Sequence, residues 1–509
     1  VAIDVTVPGS AGWWMQQLWR QLAAEQTRLR RLEKYRRGEP DIVLGTERLR
    51  SAFFRFQNMS RSNFADLIVS ARTNRMAVRA IRTSASDDDN GDQAAWRIWT
   101  ANGLNVWQTD LYRSICTFGC GYAAAGTPET PEGEPVITVE DPRQTITAQD
   151  ALRPSKTIAA FKLYHDPQAQ MDYAVLWLPG QKWVSRRARK ARVAALGDAG
   201  PVPVNFSPAT FDMLPVGSTD GDTITWADEQ PDGVLDPALL GGDGYDGITS
   251  EQYDLQDVPV VKFGNRDGVG VFELHTDLLD RIAHITLQQM VIATLQAFKQ
   301  RAIKTSEAAG EDGGLPDEDA NGNPIDYNEV FEADPGALWR LPVGAEIWES
   351  GQVDLSGILS AAKDWVLHLA ACTQTPFPMF SPDSANQSAN GASLYREGLT
   401  FNVEDLCRIA GAGMAQLLAV AFQMKGDAQR GVAADIIIDW APADRYSILE
   451  MAQADAQSSL PLAQKAARIY GMSPSEVKIV LAQAAQESFA QAALAPKPPE
   501  LPPSDVAAS

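Results

Sequence analysis

A series of long helical stretches, interrupted at definite places, constrains this chain more than any other feature. Residues His275 to Ile303 read as one helix of 29 residues, which at 1.5 Å per residue spans about 43 Å. Asp277 and Asp280 lie at its start and Lys299, Arg301 and Lys304 at its end, an order that complements the helix macrodipole. Leu278, Leu279, Ile282, Ile285, Met290, Val291, Leu295 and Phe298 cover more than one narrow stripe. Such a helix packs on two neighbours. Residues 305–352 are rich in Gly, Pro and Asp, with short apolar runs at Ala337–Pro342 and Ala345–Trp348. They read as a small loop-and-strand insertion. Helical pattern resumes over Leu355–Thr373. It cannot continue through Pro376, Pro378 and Pro382, so Gln374–Asn390 is a loop. Ala392–Lys425 is a second long helix, with a kink expected at Gly398, Gly411 or Gly413. Ala443–Leu494 is Ala/Gln-rich and helical, broken near Pro461 and Pro474. Ala495–Ser509 holds five prolines and is expected to be a disordered tail.

The N-terminal half has a different texture. Trp13–Arg37 reads as an amphipathic helix with Trp14, Leu18, Leu22, Leu29 and Leu32 near helical spacing. Its other face carries Arg20, Arg28, Arg30, Arg31, Lys34, Arg36 and Arg37, and Gly38 and Pro40 end it. A helix of this kind docks on another protein or, less simply, lies on a membrane surface. Further helices are expected over Ser62–Ala80 and Asn102–Tyr112. Strand-like runs follow at Val136–Val139, Thr157–Leu163, Tyr173–Trp177 and Val258–Phe263. Ser185–Arg192 is a compact basic patch between strands and reads as an exposed loop, with nucleic-acid contact as the alternative. The fold class is therefore mixed α+β.

Length and charge narrow the function. At 509 residues the chain holds roughly three domains or one elongated multi-part subunit. No run of about 18 apolar residues marks a transmembrane helix, and the first residues lack a signal-peptide pattern. Four cysteines are too few for a disulfide scaffold, so a reducing cytoplasm is the simpler setting. The net charge of −21 argues against a general phosphate-clamping DNA binder. That charge is unevenly spread. Residues 1–82 hold 15 basic and 7 acidic residues, whereas Pro201–Val261 holds twelve acidic residues and Thr305–Trp339 ten, neither with a single Lys or Arg. Such blocks are solvated faces or loops, or a surface built to repel polyanions.

The sequence carries few marks of chemistry. There is no Gly-Lys pair and hence no usual nucleotide-binding P-loop. His-Glu-x-x-His and Gly-x-Ser-x-Gly are absent. His165, His275, His284 and His368 are not spaced as metal ligands. Cys116 and Cys120 lack a second pair at zinc spacing and read as buried thiols; Cys372 and Cys407 stand apart. Asp317-x-Asp319-x-Asn321-Gly322 begins like a calcium loop. Its twelfth position is Asn328 rather than Glu, and an Asn-Gly hairpin turn accounts for the same residues. Asp87–Asp92 fits a solvated linker. No carboxylate pair stands out as an acid–base couple. The expectation is a protein that is not an enzyme, with no cofactor and no metal.

The order of parts is what carries a resemblance: an α/β region, a long helix, a small insertion, a second helix, a Pro/Ser/Asn loop, a third long helix and a helical cap. Local stretches agree with it. They are Tyr35-Arg36-Arg37-Gly38, Ser62-Asn63-Phe64 with Ile81, and Trp99-x-x-Asn102-x-Leu104 before Gly119-Cys120-Gly121-Tyr122. Val258–Phe263 followed by Asn265-Arg266 is another, and so is Thr375-Pro376 followed by Asn386-Gln387-Ser388 and Ala392. Over about residues 35–440 the chain resembles the portal, or head–tail connector, proteins of long-tailed double-stranded DNA phages, in the branch from Gram-positive and actinobacterial hosts.

The resemblance implies a division of labour. Residues 1–272 would form most of a wing, with 273–304 and 353–373 as stem helices and 305–352 as a clip. Residues 374–391 would be a tunnel loop, 392–442 a wing helix and strand, 443–494 a crown and 495–509 the tail. It implies a ring of twelve at one capsid vertex, assembled in the host cytoplasm and retained in the virion. Double-stranded DNA would pass through it without sequence preference. Terminase, head-completion proteins, the major capsid protein and scaffold would be its partners, and no membrane is involved. Asp383, Ser384, Asn386, Gln387, Ser388 and Asn390 would line the tunnel loop: small polar residues without a base-reading Arg. Lys299, Arg301 and Lys304 would contact phosphates or merely cap the helix dipole. Trp339, Arg340 and Trp348 would lie on the clip docking surface. The alternatives are another capsid-associated adaptor, usually much shorter, or a packaging enzyme, which would need a nucleotide loop or metal cluster.

Overall fold

The structure is a computed structural model. It describes residues 7–39, 59–86, 91–166, 168, 171–188, 249–253, 255, 257–297, 301–305, 322, 345–349, 354–381, 389–444, 448–472 and 474–494. The chain forms a mixed α/β fold in two compact units.

The first unit comprises Val1–Glu39, Asn63–Thr276 and Ala370–Ser509. It opens with α1 (Ala11–Arg36), capped where the Ser10 side chain accepts the Trp13 amide at 3.2 Å. Met15, Leu18, Trp19 and Leu22 are essentially buried. They pack on one face of an antiparallel sheet, against Ala159, Phe161, Leu163, Ala174 and Leu176. Burial of each large side chain stabilises the unit by about 1.5–3 kcal/mol. This overturns the expectation of a docking or membrane-surface helix, because α1 spends its apolar stripe on the chain's own sheet. Much of its basic face is also engaged. Arg36 and Arg37 both donate to Glu33, Arg36 also reaches Asp66, and Arg31 donates to the Thr276 hydroxyl.

Next come α2 (Phe64–Thr73), β1 (Val78–Thr83), α3 (Gln93–Ala101) and α4 (Leu104–Phe118). The helix expected over Ser62–Ala80 is therefore a helix and a strand. Val78, Ile81 and Thr83 are β-branched, and β1 pairs with a strand from near the end of the chain. The helix expected over Asn102–Tyr112 starts two residues later, at Leu104, and runs on to Phe118; α3 precedes it. Asn102 separates the two. Its amide donates to the Ile98 and Pro135 carbonyls and its oxygen accepts the Ile137 amide.

The strands are β2 (Cys120–Gly126), β3 (Val136–Glu140), β4 (Thr145–Gln149), β5 (Thr157–Asp166), β6 (Met171–Leu178), β7 (Gln181–Ala188), β8 (Thr249–Gln252) and β9 (Val260–Gly264). They form a five-stranded sheet in the order β4-β5-β6-β7-β8 and a three-stranded sheet β3-β2-β9, with antiparallel pairing throughout. Alternation along β5 sends Ala159, Phe161 and Leu163 towards α1. Ala160 points the other way, onto Val258, Val260 and Ala124 of the smaller sheet's side. The basic patch at Ser185–Arg192 is not simply a loop, because Ser185–Ala188 completes β7; residues 189–192 lie outside the described residues.

The second unit comprises Pro40–Ser62 and Asp277–Leu369. It holds nearly all of α5 (Thr276–Ala297), the strands β10 (Arg301–Thr305) and β11 (Ala345–Glu349), and most of α6 (Ser356–Cys372). The helix expected over His275–Ile303 thus ends six residues sooner than that range. Arg301–Thr305 instead pairs antiparallel with Ala345–Glu349. Within this unit the Arg281 guanidinium lies 5.1 Å over the Trp365 ring and joins the two helices.

The chain returns to the first unit with α7 (Ala389–Met424) and β12 (Ile436–Trp440). β12 pairs antiparallel with β1. Helix α7 is continuous over 36 residues, so none of its glycines breaks it. Two of them instead allow close approach. An added Cβ would meet the Trp440 ring at Gly411 and the Phe263 ring at Gly413. The stretch Arg396–Met424 is long and apolar enough to cross a membrane by length and composition, but most of its apolar part is buried inside the fold. Leu399, Val403, Ala410, Met414, Leu418 and Phe422 supply that core. Helices α8 (Ile448–Gln457), α9 (Leu462–Arg468) and α10 (Pro474–Leu494) follow. Pro461 sits at the N-cap of α9 and Pro474 opens α10, where the missing N–H costs nothing.

Candidate functional site

The chain leaves the first unit after Thr276 and returns at Ala370. At each of these points, within the first unit, a buried or half-buried arginine fixes the backbone.

Before α5 the fixed point is Glu273. Arg28 of α1 donates Nε and Nη2 to its two carboxylate oxygens, each at 2.6 Å. This fork-on-fork pairing is the strong form of a charged hydrogen bond. The same Nη2 reaches the carbonyls of Phe118 and Gly268 at 3.1 Å, and Glu273 also accepts the Gly270 amide at 2.8 Å. The hydrogen bond from Glu273 raises the Arg28 pKa further above its ordinary value, partly opposed by burial. The loop Asn265–Gly270 is pressed on the end of α4. An added Cβ on Gly119 would lie 2.3 Å from the Gly268 oxygen, and one on Gly270 would lie 2.1 Å from the Thr117 oxygen. Backbone cannot yield to such contacts, so helix α1, the Phe118–Gly119 turn and the start of α5 are locked together.

After α6 the fixed point is Arg72 of α2, 3% exposed. Its Nη1 donates to the Ile68 carbonyl at 2.8 Å and to the Thr375 hydroxyl at 3.3 Å, and its Nη2 donates to the Thr373 carbonyl. Burial pulls its pKa below the ordinary arginine value. The Phe64 and Phe380 rings meet edge to face at 5.3 Å. Asn402 of α7 donates to the Gln374 side-chain oxygen. Two helices, α2 and α7, thus hold the chain as it turns out of α6.

Sequence reasoning points to different residues here. Of the loop set, Asp383, Ser384, Asn386, Gln387 and Ser388 lie outside the described residues, and Asn390 falls in the first turn of α7, which begins at Ala389 rather than Ala392. Lys299, Trp339 and Arg340 also lie outside them, as does all of the 317–328 segment except Gly322. Arg301 and Lys304 are on β10 and not at a helix end. Register sets them opposite Glu349 and Glu346, so their reading as macrodipole caps fails. Trp348 is on β11 opposite Ala302. Nothing in the sequence singles out Arg28, Glu273, Arg72 and Gln374 as a site. A lone arginine in a helix carries no mark of a partner about 300 residues away.

Among the described residues no catalytic constellation emerges. Among the described residues no group of three His, Cys, Asp or Glu could hold a metal ion. His284 shares a hydrogen bond with Gln288, and the His368 ring packs on Trp365. Burial lowers the His275 pKa, with a smaller push from Arg72. All four cysteines are free, and burial pushes the Cys116 thiol up to about 12. A groove of about 780 Å³ lies between α7 and β12, lined by Cys407, Gly411, Ala415, Ile436, Ile438 and Trp440. Its walls are mainly small and apolar, and Glu404, Arg408 and Gln416 also line it.

Residues 16–182, from α1 to the start of β7, match the family described as phage portal protein, SPP1 Gp6-like. No curated protein matches the chain. Among solved structures it is similar to a chain in the neck of an empty GTA particle computed with C6 symmetry. The identity there is 12%, over 84% of this chain and 94% of that one, with a TM-score of 0.45. A chain in the neck of a native GTA particle computed with C12 symmetry gives 13% identity over 83% and 94%, with a TM-score of 0.42. One in the virion of a native gene transfer agent particle gives 13% over 84% and 94%, with a TM-score of 0.43.

Proposed function

We propose that the chain is a phage portal subunit, a structural protein of the capsid vertex. The observation that carries this is the portal-family match over residues 16–182. It is supported by the order of parts beyond the match, in which a helix, a hairpin, a helix, a loop and a 36-residue helix follow one another. In this reading, copies of the chain close into a ring of about twelve, with α5 and α6 as stem helices and the β10–β11 hairpin in the clip. The clip, with Trp339, Arg340 and Trp348, takes terminase and later the head-completion proteins. Residues 374–391 face the DNA channel, with Asp383, Ser384, Asn386, Gln387, Ser388 and Asn390 offering weak contact that holds no sequence. Residues 443–494 form the crown, capsid and scaffolding proteins surround the ring, and the assembly stays in the virion.

Charge suits the task. DNA has to slide in both directions, and tight phosphate contacts would hold it. A chain of net charge −21 repels the polyanion instead. Lys299, Arg301 and Lys304 are the exceptions to test for phosphate contact. The subunit performs no chemistry of its own; the energy for packaging comes from a separate motor.

The experiment is light scattering and negative-stain imaging of one chromatographic peak, at rising concentration and with scaffold added. A ring of about a dozen copies with a central hole is the expected result. A species that stays monomeric under all these conditions, or that hydrolyses ATP or cuts DNA, would overturn the reading.

A further inference from the structure

Helix α6 ends in an unusual way. The Thr375 amide donates to the Ala370 carbonyl at 3.0 Å and the Gln374 amide to the Ala371 carbonyl at 3.2 Å. This is the paired-bond helix ending in which the residue after the cap takes left-handed backbone angles, normally a glycine. Helices α1 and α7 close with the same pattern and do use glycine, Gly38 at φ 71° and Gly426 at φ 83°. At the end of α6 the residue is Gln374, at φ 49°. Its Cβ crowds the neighbouring carbonyl, a penalty of about tenfold in the equilibrium for winding that turn.

Two groups oppose the penalty. The first is Asn402, which holds the Gln374 side chain. The second group is Arg72. Among the described residues no carboxylate pairs with it, and its acceptors are two carbonyls and a hydroxyl. One of those carbonyls, Thr373, belongs to the last turn of α6, the negative end of that helix's dipole. The guanidinium therefore finds its counter-charge there only while the turn is wound. Unwinding would leave a cation buried at 3% exposure without it.

We infer that the end of α6 is a two-state conformational device, strained at Gln374 and held wound by the guanidinium of Arg72. Strain at a non-glycine residue persists where surrounding structure over-determines it, and such residues cluster at switching segments. Arg72 is a positioning residue: it sets the balance between a wound helix end and one released by a turn. The device uses only α2, α6 and α7 in the first unit and stands whether or not the portal reading holds.

Hydrogen–deuterium exchange of the full chain, followed on peptides covering 369–380, tests it, with peptides from the middle of α7 as internal reference. Asn402→Ala first removes the side-chain tie. In that background Gln374→Gly removes only the strain and slows exchange of the two amides at 374 and 375 by about tenfold. Arg72→Met, which keeps volume but removes charge and donors, speeds the same amides by tenfold or more and leaves the α7 reference unchanged. If Arg72→Met does not fold, the glycine comparison decides alone. Equal or faster exchange on adding Gln374→Gly to Asn402→Ala would overturn the inference. So would a folded Arg72→Met chain that exchanges like the parent.

Discussion

Helix α7 carries Gly398, Gly411 and Gly413, and an alanine at each would meet a different neighbour. At Gly398 the nearest atom to an added Cβ is 3.6 Å away, an ordinary contact. At Gly411 it is the Trp440 Nε1 at 3.2 Å, a tight one. At Gly413 two carbons of the Phe263 ring stand at 2.5 and 2.6 Å. Alanine in a helix interior is favoured over glycine by about 0.8–1.0 kcal/mol. Where space is free, that gain is realised in full. Carbon atoms sit comfortably at about 3.5–4.0 Å, so at Gly413 the ring would have to retreat by about 1 Å. Phe263 is 1% exposed on β9 and has nowhere to go. Overpacking of this kind costs about 1–3 kcal/mol, and this overlap belongs at the upper end.

The net expectation is graded. Gly398→Ala stabilises by about 1 kcal/mol, Gly411→Ala is near neutral, and Gly413→Ala destabilises by about 2 kcal/mol. Urea unfolding followed by exchange of α7 peptides measures the order, which matters more than the values in a chain with more than one cooperative unit. Adding Phe263→Leu to Gly413→Ala should restore part of the loss, giving a favourable coupling of about 1 kcal/mol in a double-mutant cycle. If Gly413→Ala equals or exceeds the parent in stability, or Gly398→Ala is the most harmful of the three, the close-packing account of these glycines is wrong.

Three further outcomes can be checked directly. Glu273→Ala strands Arg28 and the Gly270 amide and lowers unfolding stability by about 2 kcal/mol, with faster exchange across residues 265–275; unchanged exchange there would refute the lock. Asp92, 2% exposed, accepts from Thr83, Arg430 and the Ala94 amide, and those bonds outweigh burial and hold its carboxyl below 3.8. Its contribution is complete above pH 3.8 and is lost as pH falls through the lower folded value, so Asp92→Asn should flatten the acid limb of a stability-against-pH curve below pH 4. Cys372 is exposed, whereas Cys116 and Cys407 are buried with thiols pushed up to about 12 by desolvation. Mass spectrometry after iodoacetamide treatment at pH 8 should find Cys372 labelled first and the other two only in denaturant.

The long periodic helices are legible because apolar spacing over many residues has one reading. That holds for α1, α6 and α7, whose ranges fall within a few residues of expectation. Short elements are harder. Strand β2, Cys-Gly-Tyr-Ala-Ala-Ala-Gly, has no β-branched residue and owes its conformation to flanking by β3 and β9. Helix α3 escapes notice although Asp92 stands at its N-cap, because Asp87–Asp92 reads first as a polar linker. Helix α5 is overextended in the sequence reading because the Arg301–Thr305 run continues its amphipathic pattern, and only pairing with Ala345–Glu349 distinguishes the two. The basic face of α1 misleads in the other direction. Its arginines look free along the sequence, yet Arg28 is committed to Glu273, 245 positions away. The two arginine locks are invisible for the same reason: their acceptors are backbone carbonyls and distant side chains, which leave no local spacing to read.

The pairing of β1 with β12 bears on how the chain is made. Arg82 and Asp439, which form an ion pair across that ladder, are 357 positions apart. At about 5–20 residues per second, β1 leaves the ribosome roughly 20–70 s before its partner exists. Through that interval Ile81 and its neighbours present an incomplete edge, a template for wrong pairing with other nascent chains. Translation arrested before residue 436 would release fragments in which β1 lacks this partner strand. Such fragments should depend on chaperones and aggregate far more readily than the finished subunit.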